Sequence, residues 1–221
     1  MKKTKIIIVR HGESLGNAGR FMLGHTDLDL SELGYRQAAC TAEYLKDEHI
    51  DAIYSSDLMR AYNTGLPHAR YRDMEIKCDR GLRELHVGAW EGKCVEEILR
   101  DFGDMFEKDW HGNFGGFTFP DGEGVMEGAE RFYNTVLRIA REHMGECILI
   151  CAHAAVIRGF WSIISGIAPS EIVDKLPFPT NASYSVAYFD GEKIIPDKYS
   201  CDEHLSEVGI TRVITKNVNN N

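Results

Sequence analysis

Ionisable side chains occur at four points of the sequence, in a combination that can handle a phosphate group. Arg10 and His11 come first, and Arg60, Glu84 and His153 follow. A guanidinium offers a planar fork of donors to phosphoryl oxygens and stays charged when partly desolvated. An imidazole with one free nitrogen is a competent nucleophile near neutral pH, and a carboxylic acid can protonate a leaving oxygen. Two arginines, two histidines and one carboxylate therefore predict phosphoryl-transfer chemistry.

Three apolar runs predict the strands that bring these side chains together. Residues 5–9 and 147–151 lack polar alternation, which is typical of parallel strands buried on both faces, and residues 51–54 indicate a further strand. In an open parallel sheet, ligands bind outside the carboxyl ends of the strands. Because an arginine–histidine pair follows the first run and a histidine follows the last, we expect them to meet at one edge of the sheet.

Capping residues and helical spacing predict helices between the strands. Ser31 is the expected N-cap of a helix that ends at Lys46, and residues 55–57 are expected to cap the next helix. Further helices are expected over residues 129–140 and from His153 through Ile163, with a final hairpin turning at Asp190-Gly191. This alternation predicts an α/β fold, a three-layer sandwich with a mainly parallel central sheet flanked by helices. Residues 1–221 are expected to form one domain, with a frayed tail at 216–221.

Residues 102–124 fit the alternation of strands and helices less well, because they combine six aromatic side chains with five glycines before Gly124. We interpret this segment as an aromatic-rich insertion that lies across one end of the sheet, over the active site. Two roles are open for it. The aromatic side chains fill a satellite core, or the segment is a lid that shapes the mouth of the site.

The composition argues against several classes of protein. A net charge of −9 over 221 residues and a sequence pI near 5.5 disfavour a nucleic-acid-binding surface. No run approaches the roughly 20 apolar residues of a membrane span. Only four apolar residues follow the N-terminal lysines, too few for a signal peptide. The six cysteines form no CxxC pair and no zinc-ligand cluster, so they are expected to be reduced thiols in a cytoplasmic protein without a bound metal.

Five sequence motifs follow one another along nearly the whole chain. They are VRHGES at 9–14 with Asn17, GHTDLDL at 24–30, SSDLMRA at 55–61 with Thr64, LRELHVGAWEG at 82–92, and CAH at 151–153 with Val156-Ile157-Arg158. Asn181 and His204 extend the pattern. In order and content this set resembles the histidine phosphatase superfamily, the phosphoglycerate-mutase-like proteins. The chain departs from the pattern after His153, where members commonly carry two glycines and this chain has Ala154 and Ala155.

The resemblance implies a mechanism. His11 attacks the substrate phosphorus and becomes a phosphohistidine, and Glu84 protonates the leaving group and then accepts a proton from the hydrolysing water. The implied phosphate-binding residues are Arg10, Asn17, Arg60 and His153. No metal or cofactor is implied, because cationic side chains take the part that Mg²⁺ has elsewhere. Glu13 and Glu91 lie near the same motifs, so the choice among the glutamates stays open, and Glu13 is expected to orient the site by hydrogen bonding.

The resemblance further implies a phosphatase that acts on a small phosphorylated metabolite. The pattern at 82–92 is similar to the phosphatase branch, and residues 92–97 are acidic on balance, whereas a bisphosphoglycerate would need more positive charge nearby. A cofactor-dependent phosphoglycerate mutase is the first alternative. The second is a catalytically weak module of the same fold that binds a phosphorylated ligand, which the presence of all five reactive side chains disfavours.

Overall fold

A six-stranded sheet forms the centre of the computed structural model, which describes residues 2–211. The strands are β1 (Thr4–Arg10), β2 (Ala52–Ser55), β3 (Ile76–Cys78), β4 (Cys147–Ala152), β5 (Tyr184–Phe189) and β6 (Ile194–Cys201). Their order across the sheet is β3-β2-β4-β1-β5-β6. Strands β1 to β4 are parallel, whereas β5 runs antiparallel to β1 and β6 antiparallel to β5. The predicted, mainly parallel sheet is confirmed.

Helices cover both faces of the sheet. They are α1 (Leu15–Ala18), α2 (Glu32–Tyr44), α3 (Met59–Arg72), α4 (Val95–Asp104), α5 (Val125–Glu142), α6 (Ala154–Ser165) and α7 (Ile172–Lys175). A π-helical turn, Met105–Trp110, continues α4. Helices α5 and α6 pack on one face, and α2 and α3 pack on the other. The three layers confirm the predicted sandwich.

The alternation of side chains along β1 divides the core between the two faces. Ile6 and Ile8 are buried under α5 and α6, where they join the larger cluster of apolar side chains. Ile7 and Val9 point the other way and join the smaller cluster against α2 and α3. Because successive side chains of a strand point to opposite faces, an uninterrupted apolar run is what a strand covered on both sides requires.

The two predicted helix starts have different outcomes. Ser31 is the N-cap of α2, with its hydroxyl accepting a hydrogen bond from the Gly34 N–H at 3.0 Å. The predicted cap at 55–57 is wrong, because Ser55 still belongs to β2 and α3 begins only at Met59. The Met59 N–H instead donates to the carboxylate of Asp27 at 2.8 Å, a partner that lies far away in sequence.

Residues 102–124 pack into the main core and do not form a satellite. The buried aromatic side chains of this segment are Phe106, Trp110, Phe114, Phe117 and Phe119. They belong to the larger cluster and surround Trp90, whose ring lies 5.2 Å from that of Phe119. The same segment contributes a wall of the cavity at the strand ends. Its origin as an insertion and its movement as a lid stay predictions.

Several smaller expectations are also decided. The final hairpin is confirmed, with the Asp190 carboxylate accepting hydrogen bonds from the N–H groups of Glu192 and Lys193. The six cysteines are free thiols. The short edge strand β3 was not predicted, since it carries no buried apolar run. The tail at 216–221 lies outside the described residues.

Among the described residues, no single helix is long and apolar enough to cross a membrane. Helix α6 and residues 169–175 reach the length and apolar composition of a membrane span only when they are taken together, and they are bent by 120° relative to each other. Most of α6 is buried in the core between the sheet and α5.

Candidate active site

The register of two neighbouring strands brings His11 and His153 together. Strands β1 and β4 are parallel and pair Arg10 with Ala152, so the next residue of each strand is one of the two histidines. The His11 N–H donates to the Ala152 carbonyl at 2.9 Å, and the ring centroids lie 5.2 Å apart at an interplanar angle of 58°. Both side chains are buried, at the carboxyl ends of the strands where the sequence predicted a ligand site.

A hydrogen bond fixes the tautomer of His11. Its Nδ1 lies 2.7 Å from the Gly12 carbonyl oxygen, which has no proton to give, so Nδ1–H is the donor and Nε2 keeps its lone pair. Burial holds the pKa of His11 well below its usual value, and the charges of Arg60 and Arg10 lower it further. His11 is therefore neutral and nucleophilic at neutral pH.

The backbone around His11 is held from two sides. The hydroxyl of Thr64 accepts a hydrogen bond from the Gly12 N–H at 3.0 Å. The His11 carbonyl accepts from the Asn181 side-chain amide and from the Ala182 N–H, both at 3.1 Å. These bonds come from α3 and from the loop before β5, so the backbone of His11 is anchored from both sides.

Two buried guanidinium groups supply positive charge to the site. Arg10 donates to the Pro179 carbonyl at 2.6 Å, and its Nε has no partner among the described residues. Arg60 donates to the carbonyl oxygens of Thr26 at 2.9 Å and Gly24 at 2.7 Å. Burial lowers the pKa of each arginine to about 10, and both remain cations at neutral pH. Within residues 2–211 neither forms a direct ion pair, so their charge is available to an anionic ligand.

The carboxylate of Glu91 is committed to the loop that holds Arg60. It accepts hydrogen bonds from the N–H groups of His25 and Thr26, both at 2.8 Å, from the Thr26 hydroxyl at 2.6 Å and from the Val87 N–H at 3.2 Å. With both oxygens occupied in this way, Glu91 is a structural residue of the site.

Glu13 is likewise engaged outside the cavity. Its two carboxylate oxygens accept hydrogen bonds from the hydroxyls of Ser31 at 2.7 Å and Thr211 at 2.9 Å. Its backbone N–H donates to the Gln37 side chain at 2.8 Å. Glu13 thus ties the loop after β1 to α2, which agrees with the expected orienting role.

Glu84 is the only carboxylate among the described residues that line the cavity. It lies at the N-terminus of α6 and accepts hydrogen bonds from the N–H groups of Ala155 at 3.1 Å and Val156 at 3.2 Å. The N–H of the next residue, Leu85, also donates to the Glu84 carboxylate, at 3.0 Å. The free donors of a helix start and its dipole suit a carboxylate at this position. Geometry therefore selects Glu84 from the three candidate glutamates.

His153 is the N-cap of α6, and neither of its ring nitrogens has a partner among the described residues. Burial holds its pKa well below the usual value, and Arg60, His11 and Arg10 add to this effect. A phosphoryl oxygen at the strand ends would supply the missing partner. Ala154 and Ala155, the residues that depart from the family pattern, both line the cavity, whereas His153 is fully buried and is not one of its lining residues.

Asn17 lies at the same cavity and caps the loop after β1. Its Oδ1 accepts hydrogen bonds from the Ser14 N–H at 3.1 Å, the Ser14 hydroxyl at 3.0 Å and the Asn181 amide at 3.1 Å. These bonds turn its carbonyl oxygen toward the protein and fix its amide. The structure thus brings together all six predicted site residues, although their roles in the reaction stay predictions.

The cavity has a volume of about 290 Å³ and is lined by Arg10, His11, Asn17, Arg60 and Glu84 together with a larger number of apolar side chains. Residues 21–23 and Phe178 contribute to those apolar walls and were not predicted, because they lie outside the sequence motifs. No cluster of three or more His, Cys, Asp or Glu side chains suited to a metal ion occurs within residues 2–211.

Two facing histidines and two buried arginines lie together near the carboxyl ends of parallel strands in an α/β sandwich, an arrangement of side chains suited to a phosphate group. The sequence profile of the histidine phosphatase superfamily (branch 1) matches residues 6–202. The chain therefore belongs to this superfamily, and the predicted enzyme class, a phosphatase of that superfamily, is confirmed.

Three relatives and one solved structure illustrate the likeness. Phosphoserine phosphatase 1 of Hydrogenobacter thermophilus is 31% identical over 205 residues, which cover 92% of this chain and 95% of that protein. Phosphoglycerate mutase-like protein 4 of Arabidopsis thaliana is 34% identical, with 93% and 88% covered. The metal-independent phosphoserine phosphatase of the same plant is also 34% identical, with 93% and 85% covered. The structure of YhfR from Bacillus stearothermophilus superimposes with a TM-score of 0.86 at 27% identity, over 91% of this chain and 99% of the other.

Proposed function

We propose that this protein is a metal-independent phosphatase that hydrolyses a small phosphate monoester through a phosphohistidine on His11. One observation carries the proposal. The Nδ1–H of His11 is bound by the Gly12 carbonyl, so that its Nε2 lone pair is free beside two buried arginines. The relatives named phosphoserine phosphatases support hydrolysis as the reaction.

In the first step, Nε2 of His11 attacks the phosphorus of the bound monoester. The N–P bond forms while the P–O bond to the leaving group breaks, and Glu84 gives its proton to the departing oxygen. Arg10, Arg60 and His153 hold the phosphoryl oxygens and stabilise the charge that moves onto them in the transition state.

In the second step, a water molecule attacks the phosphorus of the phosphohistidine. The carboxylate of Glu84 takes a proton from the water, the O–P bond forms and the N–P bond breaks. Inorganic phosphate leaves and His11 returns to its neutral state. Because Arg10 and Arg60 remain charged throughout, no step requires a metal ion to neutralise the phosphoryl oxygens.

Hydrolysis of 4-nitrophenyl phosphate with and without EDTA tests the proposal, together with mass spectrometry of the intact protein after quenching at alkaline pH, because the N–P bond of a phosphohistidine is labile in acid. We expect turnover in both conditions and a mass increase of one phosphoryl group that His11→Ala abolishes, while its circular dichroism stays that of the wild type. His86→Ala is the matched control, since His86 is exposed near the site and lies outside the cavity. Activity that is lost with EDTA, or a phosphoenzyme that persists in His11→Ala, would contradict the mechanism.

The mutase alternative has its own assay. The relative named phosphoglycerate mutase-like protein 4 is the observation that favours it. Interconversion of 3- and 2-phosphoglycerate faster than the release of inorganic phosphate would establish it. We expect phosphate release to dominate, since Arg20 is the only cationic side chain besides the two phosphate-binding arginines among the described cavity residues.

A further inference from the structure

We infer that the natural substrate is a phosphate monoester of an apolar, ring-containing alcohol, and that O-phosphoserine is a poor substrate. This inference rests on the proposed function and names the leaving group that the cavity accepts. It is carried by the chemistry of the walls beyond the phosphate-binding side chains.

Those walls are mainly apolar, and Ser14, Arg20 and Thr211 are their polar members. The apolar side chains are Phe21, Met22, Leu23, Leu85, Val87, Val95, Phe106, Trp110, Phe119 and Phe178. Five of these ten carry an aromatic ring, so rings form a large part of the surface that a leaving group would touch. Burying apolar area against such a surface stabilises a bound neutral ring, whereas a charged group gains only cation–π contact against the cost of its desolvation. The volume of about 290 Å³ is near the lower end of the range of small-molecule sites, roughly 300–1,000 Å³.

The apolar walls are held in place by the backbone. The Met22 N–H donates to the Lys93 carbonyl at 2.9 Å, and the Val95 N–H donates to the Arg20 carbonyl at 3.2 Å. Residues 20–22 therefore run beside 93–95 as a paired segment. On the other side, Trp110 packs against Phe178, with ring centroids 5.9 Å apart. A wall that exists before the ligand arrives does not have to be ordered when it binds.

A serine leaving group carries an ammonium, and the cavity offers no free carboxylate to pair with it. Glu84 is the only carboxylate among the described lining residues, and it is occupied by three backbone N–H groups and assigned to proton transfer. Glu91 and Glu13 are bound to other groups, as described above. Cation–π contact with the aromatic walls offsets only part of the free energy that it costs to desolvate an unpaired ammonium, a cost that a neutral ring does not have.

The carboxylate of a serine leaving group also lacks an unpaired partner among the described cavity residues. Of the described cations at the cavity, only Arg20 is not assigned to phosphate, and it is paired with Glu96 at 3.3 Å. Both charges of a serine zwitterion would thus meet either apolar side chains or a cation that already has a partner. The walls that suit a neutral ring are therefore the same walls that disfavour phosphoserine.

The test compares three primary alkyl phosphates: 2-phenylethyl phosphate, ethyl phosphate and O-phospho-L-serine. All three have a primary alkyl oxygen as the leaving atom, which Glu84 protonates in each case, so differences in kcat/KM report the contacts of the leaving group. One methylene in an apolar pocket discriminates by roughly 10- to 200-fold. We expect kcat/KM for the phenylethyl ester to exceed each of the other two by at least tenfold.

A variant of the wall makes the test specific. Phe21→Ala removes a ring that is 42% exposed, so the variant is expected to fold, and the phenylethyl-to-ethyl ratio should fall at least threefold. Met144→Ala is the matched control, since Met144 is also 42% exposed and lies outside the cavity, and its ratio should equal that of the wild type.

The two levels of the proposal fail in different ways. If no ester is hydrolysed and no phosphoenzyme forms, the proposed function itself is wrong. If phosphate is released but O-phosphoserine equals or exceeds the phenylethyl ester, only the assignment of the leaving group is overturned. A phenylethyl-to-ethyl ratio near one, or a ratio that Phe21→Ala leaves unchanged, overturns it as well.

Discussion

Glu91 binds Thr26 twice, through the backbone N–H at 2.8 Å and the hydroxyl at 2.6 Å. The carbonyl of the same threonine accepts a hydrogen bond from Arg60. A carboxylate that does not line the cavity thereby positions a guanidinium that does. Glu91 had been a competitor of Glu84 for the role of acid, and its contacts give it a different role.

Replacing Glu91 should weaken the binding of phosphate by Arg60. Glu91→Ala leaves four donors of the surrounding loops without their partner, and a shift of about 1 Å in a positioned group costs about 10²-fold in rate. We expect kcat/KM to fall by about this factor and the inhibition constant of inorganic phosphate to rise. Glu91→Gln, which keeps one acceptor oxygen, should recover part of the loss.

The control for this prediction is Glu142→Ala, which removes a carboxylate paired with Arg138 on an exposed part of α5. It should leave both constants unchanged. If Glu91→Ala unfolds no more readily than the wild type and still binds phosphate equally well, Glu91 does not position Arg60.

Glu84→Gln should act mainly on substrates with poor leaving groups. The amide cannot give up a proton as an acid does, and general acid catalysis contributes roughly 10²- to 10⁴-fold. We expect kcat for 2-phenylethyl phosphate to fall at least 10²-fold, whereas 4-nitrophenyl phosphate, whose phenolate departs without help, should lose far less. Equal losses on both substrates would argue that Glu84 does not protonate the leaving group.

Gly12 is required by a close approach of two loops. A Cβ at position 12 would lie 2.5 Å from the Gly34 carbonyl oxygen, a backbone atom that cannot swing aside. Gly12→Ala should therefore lower the free energy of unfolding by about 1–3 kcal/mol and displace the neighbouring His11. Gly103→Ala is the matched control, because nothing lies within 4 Å of its Cβ position in α4 and alanine favours a helix. Urea unfolding should show a lower free energy of unfolding for Gly12→Ala and a higher one for Gly103→Ala than for the wild type.

His68 should make the protein sensitive to acid. It is buried in α3, neither ring nitrogen has a partner among the described residues, and burial lowers its pKa to about 3, helped by Arg72 and His204. The unfolded chain binds a proton at this residue below about pH 6.5 and the folded protein does not, so stability falls as the pH drops through that range.

The size of this effect follows from linkage. For such a residue the free energy of unfolding falls by about 1.4 kcal/mol for each pH unit below 6.5, which amounts to about 2 kcal/mol between pH 6.5 and pH 5. In His68→Leu, the loss of unfolding free energy between pH 7.5 and pH 5 should be smaller than in the wild type by about that amount. Urea unfolding at the two pH values measures it, and an unchanged difference would mean that His68 does not stay neutral in the folded protein.

Sequence patterns predicted the features that depend on neighbours in the chain. The apolar runs of β1 and β4 required a sheet covered on both faces, and the residues that follow those strands had to meet at one edge. The hydroxyl of Ser31 caps α2 within three residues of itself. The cap of α3 was predicted wrongly, because the acceptor for the Met59 N–H is Asp27, a residue on a separate loop.

The sequence by itself determined which residue types could transfer a phosphoryl group and to which superfamily the chain belongs. The resemblance already implied Glu84 as the proton donor, but only tertiary structure shows that Glu84 lines the cavity while Glu13 and Glu91 do not, because this depends on how the segments pack across the fold. Tertiary structure also created the apolar walls of the cavity, since Phe21, Phe106 and Phe178 come from segments far apart in sequence. Contacts of that kind arise from packing between distant segments, and no local pattern of residues records them.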